Sequence, residues 1–259
     1  MRQFLLPQSY HGESRLSLAK RERHYLMDVL RYQVGDSFNG IDQNGVVYDL
    51  TLESEDTLLV SKAANGKAKE EGDSLPAWQQ KRPKIHLLQC LCKGKKDEQI
   101  TRMAAEIGAS SITFVHSRYC VVDFKGKKDK ALQARNERLE AIIREAVQQS
   151  GSPTPTRLTP DILDIADVPA FTHGKLAVFF HQARRQDEQA DLASLMKAHD
   201  PQDDLYLLIG SEGGLSDEEC AMLEKGGLKP VLLKTNILRA ETAAPYALAV
   251  CQYALTERS

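Results

Sequence analysis

Long apolar runs are missing from this 259-residue chain. No stretch approaches the roughly 20 apolar residues that a bilayer-spanning helix needs. The apolar segment in MRQFLLPQSYHGE is too short for a secretory leader, so a soluble, cytoplasmic protein is expected. Cysteine is sparse and odd in number, with five residues: Cys90, Cys92, Cys120, Cys220 and Cys251. Their spacing fits no zinc site, and reduced, mostly buried thiols are expected, with Cys90 and Cys92 on the same side of a strand. The seven histidines form no HExxH motif and no ligand cluster, so no metal is implied. Neither sign of charge dominates: the net charge is −2. Any affinity for nucleic acid must then come from a local patch. GxGxxG and GxxxxGK[ST] are both absent, which removes the two familiar fingerprints of a nucleotide phosphate site.

What is present is an ordinary globular composition, 42% hydrophobic and 27% charged. The length suits one large domain or two modest ones. Residues 1–73 read as a small β-rich domain with one helix within Leu18–Arg31 and strands at Gly45–Leu52 and Leu58–Val60. A polar linker follows at 74–83, carrying the single tryptophan, Trp78, as a packing residue or a platform for a base. Residues 84–259 read as an α/β domain. Lys84–Leu91 and Ser111–Val115 are strands around a helix from Asp97 to Ile107 closed by Gly108, a βαβ unit that favours parallel pairing. Lys175–Phe180 is a further buried strand ending at His181. Lys93, Lys95 and Lys96, with Lys125, Lys127, Lys128, Lys130, Arg135 and Arg138, make the best basic patch in the chain, either a solvated face or an RNA contact.

The most informative stretch is Leu205–Leu255. Leu205–Ile209 is a short apolar run suited to a strand buried on both faces. The glycine loop Gly210-Ser211-Glu212-Gly213-Gly214 follows, and then Ser216 with Glu219 as a capping box. Glu212 inside this loop would repel a pyrophosphate and tolerate a cationic ligand. Val231–Leu233 predicts a second strand, and Lys234–Arg239 a second irregular loop. An Ala-rich helix is expected over Ala243–Leu255, with Thr242 as N-cap and Pro245 in its first turn. If the two strands are parallel, both loops lie at the end of the sheet where α/β folds bind ligands.

Ile209–Ser216, followed by Leu233 and by Ile237-Leu238-Arg239-Ala240-Glu241-Thr242-Ala243, resembles the signatures of the RsmE family. These are bacterial small-subunit rRNA methyltransferases of the SPOUT superfamily. The resemblance extends upstream through Arg2-Gln3-Phe4, His24-Tyr25-Leu26, Val29-Leu30-Arg31, Lys93, Lys96, Glu106-Ile107-Gly108 and Ser117-Arg118. It implies an α/β domain, a SPOUT-type trefoil-knotted parallel sheet with helices on both faces, preceded by a small PUA-like β-barrel. It also implies S-adenosylmethionine as cofactor, a homodimer, and methylation of N3 of one uridine in 16S rRNA, with the assembled small ribosomal subunit as substrate. The cofactor would be held by His181, Ile209, Gly210, Gly213, Gly214, Leu233, Asn236, Ile237, Leu238 and Thr242. Arg2, Arg31, Lys93, Lys96, Arg118, Lys127 and Lys128 would contact RNA. The chain departs from the family pattern at Ser211, at Lys234-Thr235-Asn236 and at Gly151-Ser152-Pro153, where the usual arginine is missing and Arg157 is the nearest.

The chemistry so implied is in-line transfer to a ring nitrogen that is protonated at neutral pH. It asks for positioning, a cation to stabilise the uridine anion, and a proton acceptor. Arg239 is the candidate cation, and Glu241 or Glu212 the candidate acceptor. Glu241 reads equally as a carboxylate favoured by the helix dipole. Two other readings stay open: a SPOUT enzyme acting on a ribose 2′-hydroxyl or a tRNA base, and an RNA-binding homologue without catalysis.

Overall fold

Alternating apolar residues build the first sheet. In the computed structural model, which describes residues 4–7, 9–62, 82–122, 124, 129–153, 155–181 and 189–257, Leu50 and Leu52 are fully buried while Thr51 and Glu53, which alternate with them, are partly exposed. The contacts separate into two units, residues 1–80 with 147–155, and residues 81–146 with 156–259.

The first unit contains β1 (Phe4–Leu5), β2 (Arg15–Ser17), α1 (Lys20–His24), β3 (Ser37–Ile41), β4 (Val47–Ser54) and β5 (Thr57–Lys62). The strands form one sheet in the order β1-β3-β4-β5-β2, parallel only between β1 and β3. Its core is Phe4, Leu6, Leu18, Leu26, Leu50, Leu52, Leu58 and Val60. The helix expected within Leu18–Arg31 is shorter: α1 runs into a π-helical turn at Tyr25–Val29 and stops. Arg31 then takes φ +62, a left-handed conformation that breaks the helix. Arg31 itself is exposed.

The second unit is a parallel sheet. Its strands are β6 (Lys84–Cys90), β7 (Ser111–His116), β8 (Arg157–Leu158), β9 (Leu163–Asp164), β10 (Leu176–Phe180), β11 (Asp204–Ile209) and β12 (Lys229–Val231). The order is β12-β10-β11-β6-β7-β8, with β9 also on β7. All these pairings are parallel. The helices are α2 (Lys96–Ile107), α3 (Asp129–Ser150), α4 (Val168–Phe171), α5 (Leu192–Ala198), α6 (Asp217–Lys225) and α7 (Ala240–Thr256). The apolar run of β11 is explained by its neighbours: it lies between β10 and β6, and Leu205, Leu207, Leu208 and Ile209 are all buried. Each such side chain contributes about 1.5–3 kcal/mol by leaving water. α2 packs on α7, and α7 rests on β11 and β6. On the other face, Phe179, Leu208, Leu88 and Val115 meet Leu215, Cys220 and Leu223. Gly108 ends α2 at φ 95, its amide bonded to the Ala104 carbonyl at 3.0 Å.

Three expectations need correction. β12 ends at Val231, because Leu232 and Leu233 leave the sheet and a tight turn bonds the Thr235 amide to the Leu233 carbonyl at 2.7 Å. The last helix starts at Ala240, not Ala243. The Arg239 carbonyl accepts from the Thr242 and Ala243 amides at 2.9 and 2.7 Å, so Arg239 is the N-cap and a turn is closed before Pro245. Pro245 therefore sits inside the helix, where its missing N–H withdraws one donor from the ladder. Cys92 lies beyond the end of β6, so it does not share a strand face with Cys90. All five cysteines are free thiols.

Candidate active site

The C-terminal ends of β10, β11 and β12 converge on one cavity of about 590 Å³, a size suited to a small-molecule ligand. The glycine loop after β11 forms one wall and the loop 232–239 another, with Phe180 and His181 closing the third side. Ile209, Gly210, Gly213, Gly214, Leu233, Asn236, Ile237, Leu238 and Arg239 all line it, as does Glu212. Thr242 does not: it is exposed in the first turn of α7.

The glycine loop is held from within. The Gly214 amide donates to the Ser211 carbonyl at 2.9 Å, and Gly214 adopts φ +72, which favours glycine. A Cβ on Gly210 would meet the Gly214 backbone at 3.0 Å. A Cβ on Gly213 would meet the Cβ of Tyr119 at 2.8 Å. Tyr119 thus buttresses the loop from the segment after β7. At the strand end, buried Gln89 donates from Nε2 to the Gly210 carbonyl at 3.3 Å and to the Cys90 carbonyl at 2.8 Å.

The predicted capping box is present. The Glu219 amide donates to Ser216 Oγ at 3.2 Å, and the Ser216 amide to Glu219 Oε2 at 2.8 Å. Glu219 Oε1 also accepts from the Arg118 amide at 2.7 Å, tying the 117–120 segment to the start of α6. The Arg118 guanidinium pairs with Glu218 at 3.0 Å.

The charged groups are arranged differently from expectation. Lys96, read from sequence as an RNA contact, is a wall of the cavity. Its ammonium lies 3.0 Å from Glu212 Oε1 and 3.3 Å from Glu241 Oε2. The Lys93 amide donates to the same Glu212 oxygen at 3.0 Å, while the Lys93 side chain is exposed. Desolvation raises the Glu212 carboxyl, but the Lys93 amide and the Lys96 ammonium outweigh it and hold it below the ordinary range. The Glu241 side chain is mostly buried against Lys96 and is not part of the cavity lining. Arg239 is exposed at the rim, and its guanidinium has no carboxylate partner among the described residues.

The basic patch is only partly a patch. Arg135 is a mostly buried partner of Asp97 at 3.0 Å and lies 4.0 Å over the Phe114 ring. Arg138 pairs with Glu98. Arg2, Lys127, Lys128, Trp78 and most of the expected linker lie outside the described residues. Sequence reasoning missed Gln89, Tyr119 and the bridging role of Lys96. A glutamine within the apolar run that ends β6 was the one available signal; the other two depend on which loops meet in space.

A family model for the RNA methyltransferase domain matches residues 79–252. The ribosomal RNA small subunit methyltransferase E of Bacillus subtilis is 26% identical over 246 residues, 92% of this chain and 89% of that one. Among solved structures, the ribosomal RNA small subunit methyltransferase E of Neisseria gonorrhoeae, bound to S-adenosyl methionine, superposes with TM-score 0.75 at 21% identity, covering 98% of this chain and 97% of that one. A Legionella pneumophila methyltransferase in complex with bound cofactor SAM gives 0.73 at 23%, covering 97% of each chain. The parallel sheet with its helices is the fold of these enzymes, the family match spans more than half of the sequence, and the chain therefore belongs to the RNA methyltransferase family.

Proposed function

We propose that this protein transfers a methyl group from S-adenosylmethionine to N3 of a specific uridine in 16S rRNA, acting on the assembled small ribosomal subunit. The observation that carries the reading is the cavity at the strand ends with Arg239 on its rim, a guanidinium that has no carboxylate partner among the described residues. The names of the sequence relatives support the target, and the SAM-bound structural neighbours support the donor. On the same reading the second unit is a SPOUT-type trefoil knot, the first a PUA-like RNA-binding domain, and the enzyme a cytoplasmic homodimer. Arg31, Lys93 and Arg118 remain its RNA-contact candidates within the described residues.

The residues present fit the donor. Apart from its chain neighbours, a Cβ at Gly214 would meet no heavy atom of the described residues within 4 Å, so the cavity is open beside the loop backbone. Backbone groups of residues 210–214 and 233–238 would hold the adenosine and methionine parts, with His181 on the third wall. Bound there, the sulfonium supplies both the methyl group and its own leaving group.

This chain's side chains supply the rest. Arg239 stabilises the uridine anion, whose charge spreads from N3 to O2 and O4. Of the two carboxylates, Glu212 faces the cavity and Glu241 does not. Glu212 Oε1 is already engaged by Lys93 and Lys96, so the proton from N3 goes to Oε2. Glu241 serves as a counter-ion to Lys96.

The test compares Arg239→Ala with the native enzyme on small subunits, reading methyl incorporation and identifying the nucleoside by digestion and mass analysis. Loss of one anion-stabilising donor is expected to slow transfer by about 10²–10³-fold while calorimetric affinity for S-adenosylmethionine is retained. Gly214→Trp should abolish that affinity instead. Unchanged turnover in Arg239→Ala removes it from the mechanism. A methylated ribose or a tRNA product refutes the N3 assignment.

A further inference from the structure

Lys96 is the point where three segments around the site meet. It opens α2, Glu212 belongs to the glycine loop, and Glu241 belongs to the first turn of α7. These segments are far apart in sequence, and the described ion pairs among them run through this one ammonium, beside the bond from the Lys93 amide to Glu212. Both carboxylate oxygens touch Nζ, at 3.0 and 3.3 Å, so they lie within about 6 Å of each other. At that separation two carboxylates repel unless a cation lies between them. The surrounding charges do not replace it. Asp97 is committed to Arg135 and the Cys92 amide. Lys93 is exposed and reaches Glu212 through its backbone. Arg239 is exposed at the rim, and His181 lies on the third wall.

We propose that Lys96 is a positioning residue that latches the glycine loop to the first turn of α7 and so sets the width of the cofactor cavity. The inference rests on the cofactor reading given above. Without the ammonium, Glu212 and Glu241 face each other across the cavity edge. Ionising both then drives the two walls apart, and protonating one relieves the repulsion. A carboxyl whose folded pKa is raised this way stabilises the closed cavity at low pH and loses that contribution as pH rises.

The experiment measures S-adenosylmethionine affinity by calorimetry from pH 5 to pH 8.5 for the native protein, Lys96→Met, Lys96→Arg and Lys96→Met/Glu241→Gln. His181 is unchanged in all four proteins, so its contribution cancels in the comparison. Lys96→Met should bind about tenfold or more weakly at pH 8 and recover most of the loss by pH 5. Lys96→Arg should keep near-native affinity, and adding Glu241→Gln to Lys96→Met should restore binding at pH 8. The latch is overturned if Lys96→Met binds like the native protein at every pH. A loss that is equal at every pH and not rescued by Glu241→Gln overturns it too. If the native protein binds no S-adenosylmethionine, the cofactor reading fails. The latch is then judged by the urea midpoints of the same four proteins, where a deficit of Lys96→Met at pH 8 that closes by pH 5 supports it and a pH-independent deficit refutes it.

Discussion

Truncating Glu219 to alanine should damage stability and cofactor binding together, although the residue does not line the cavity. Glu219 is 8% exposed and uses both oxygens on backbone amides, from Arg118 at 2.7 Å and from Ser216 at 2.8 Å. Hydrogen bonds to a charged acceptor contribute about 1.5–3 kcal/mol each, and a buried amide left without a partner costs about 1–3 kcal/mol. The Ser216 amide is buried, whereas Arg118 has an exposed side chain and its amide can regain water. The expected total is therefore about 3 kcal/mol, near one full bond plus part of another. Ser216→Ala removes only the cap bond to the Glu219 amide, and about 1 kcal/mol is expected. Glu219→Gln keeps one acceptor and turns an NH₂ donor towards the second amide, so it should fall between the two. The assay is urea unfolding followed by far-ultraviolet circular dichroism, with calorimetric titration of S-adenosylmethionine on the folded variants. Because Glu219 joins the segment that carries Tyr119 to the start of α6, directly after the loop that Tyr119 supports, affinity should fall about tenfold, which corresponds to about 1.4 kcal/mol. A Glu219→Ala protein within 0.5 kcal/mol of native stability, or one with native affinity, would refute this account of how the glycine loop is held.

Two further expectations concern titrating groups. His86 stacks on Tyr206 at 4.6 Å, bonds Ser111 Oγ at 2.8 Å and reaches Asp204 at 3.2 Å; burial pushes its pKa down, with Lys175 and Lys84 adding to this and Asp204 opposing it. A depressed histidine favours the neutral folded form, so stability should hold above the unfolded value of about 6.5 and fall as pH drops below it. His86→Gln should flatten that slope between pH 7 and pH 5, and an unchanged slope in urea midpoints refutes the assignment. Cys120 is drawn down to about 6 by the Cys90 thiol and by Ser117, whose amide and hydroxyl lie 3.4 and 3.3 Å from its sulfur. Iodoacetamide at pH 7 should therefore label it before Cys220, which burial raises to about 11, or Cys251, raised to about 12. Peptide mapping that finds another cysteine labelled first contradicts this.

Local chemistry was legible without coordinates. The apolar run 205–209 suits a strand covered on both faces, and the glycine loop followed by Ser216 and Glu219 specifies a turn and a capped helix within ten or so residues. Those signals depend on neighbours in the chain, so the sequence carried them in full. The start of the last helix was less legible, because proline marks a first turn by preference and not by necessity, and the Arg239 carbonyl had already closed a turn before Pro245. Pairings across long separations were not legible at all. Lys96 looked like one more surface lysine until α2, the glycine loop and α7 were brought to one point. Arg135 looked like part of a basic face until Asp97 was found beside it at 3.0 Å. Charge in a sequence says what a side chain can do, and only the packed chain decides whether a counter-charge is already there to meet it.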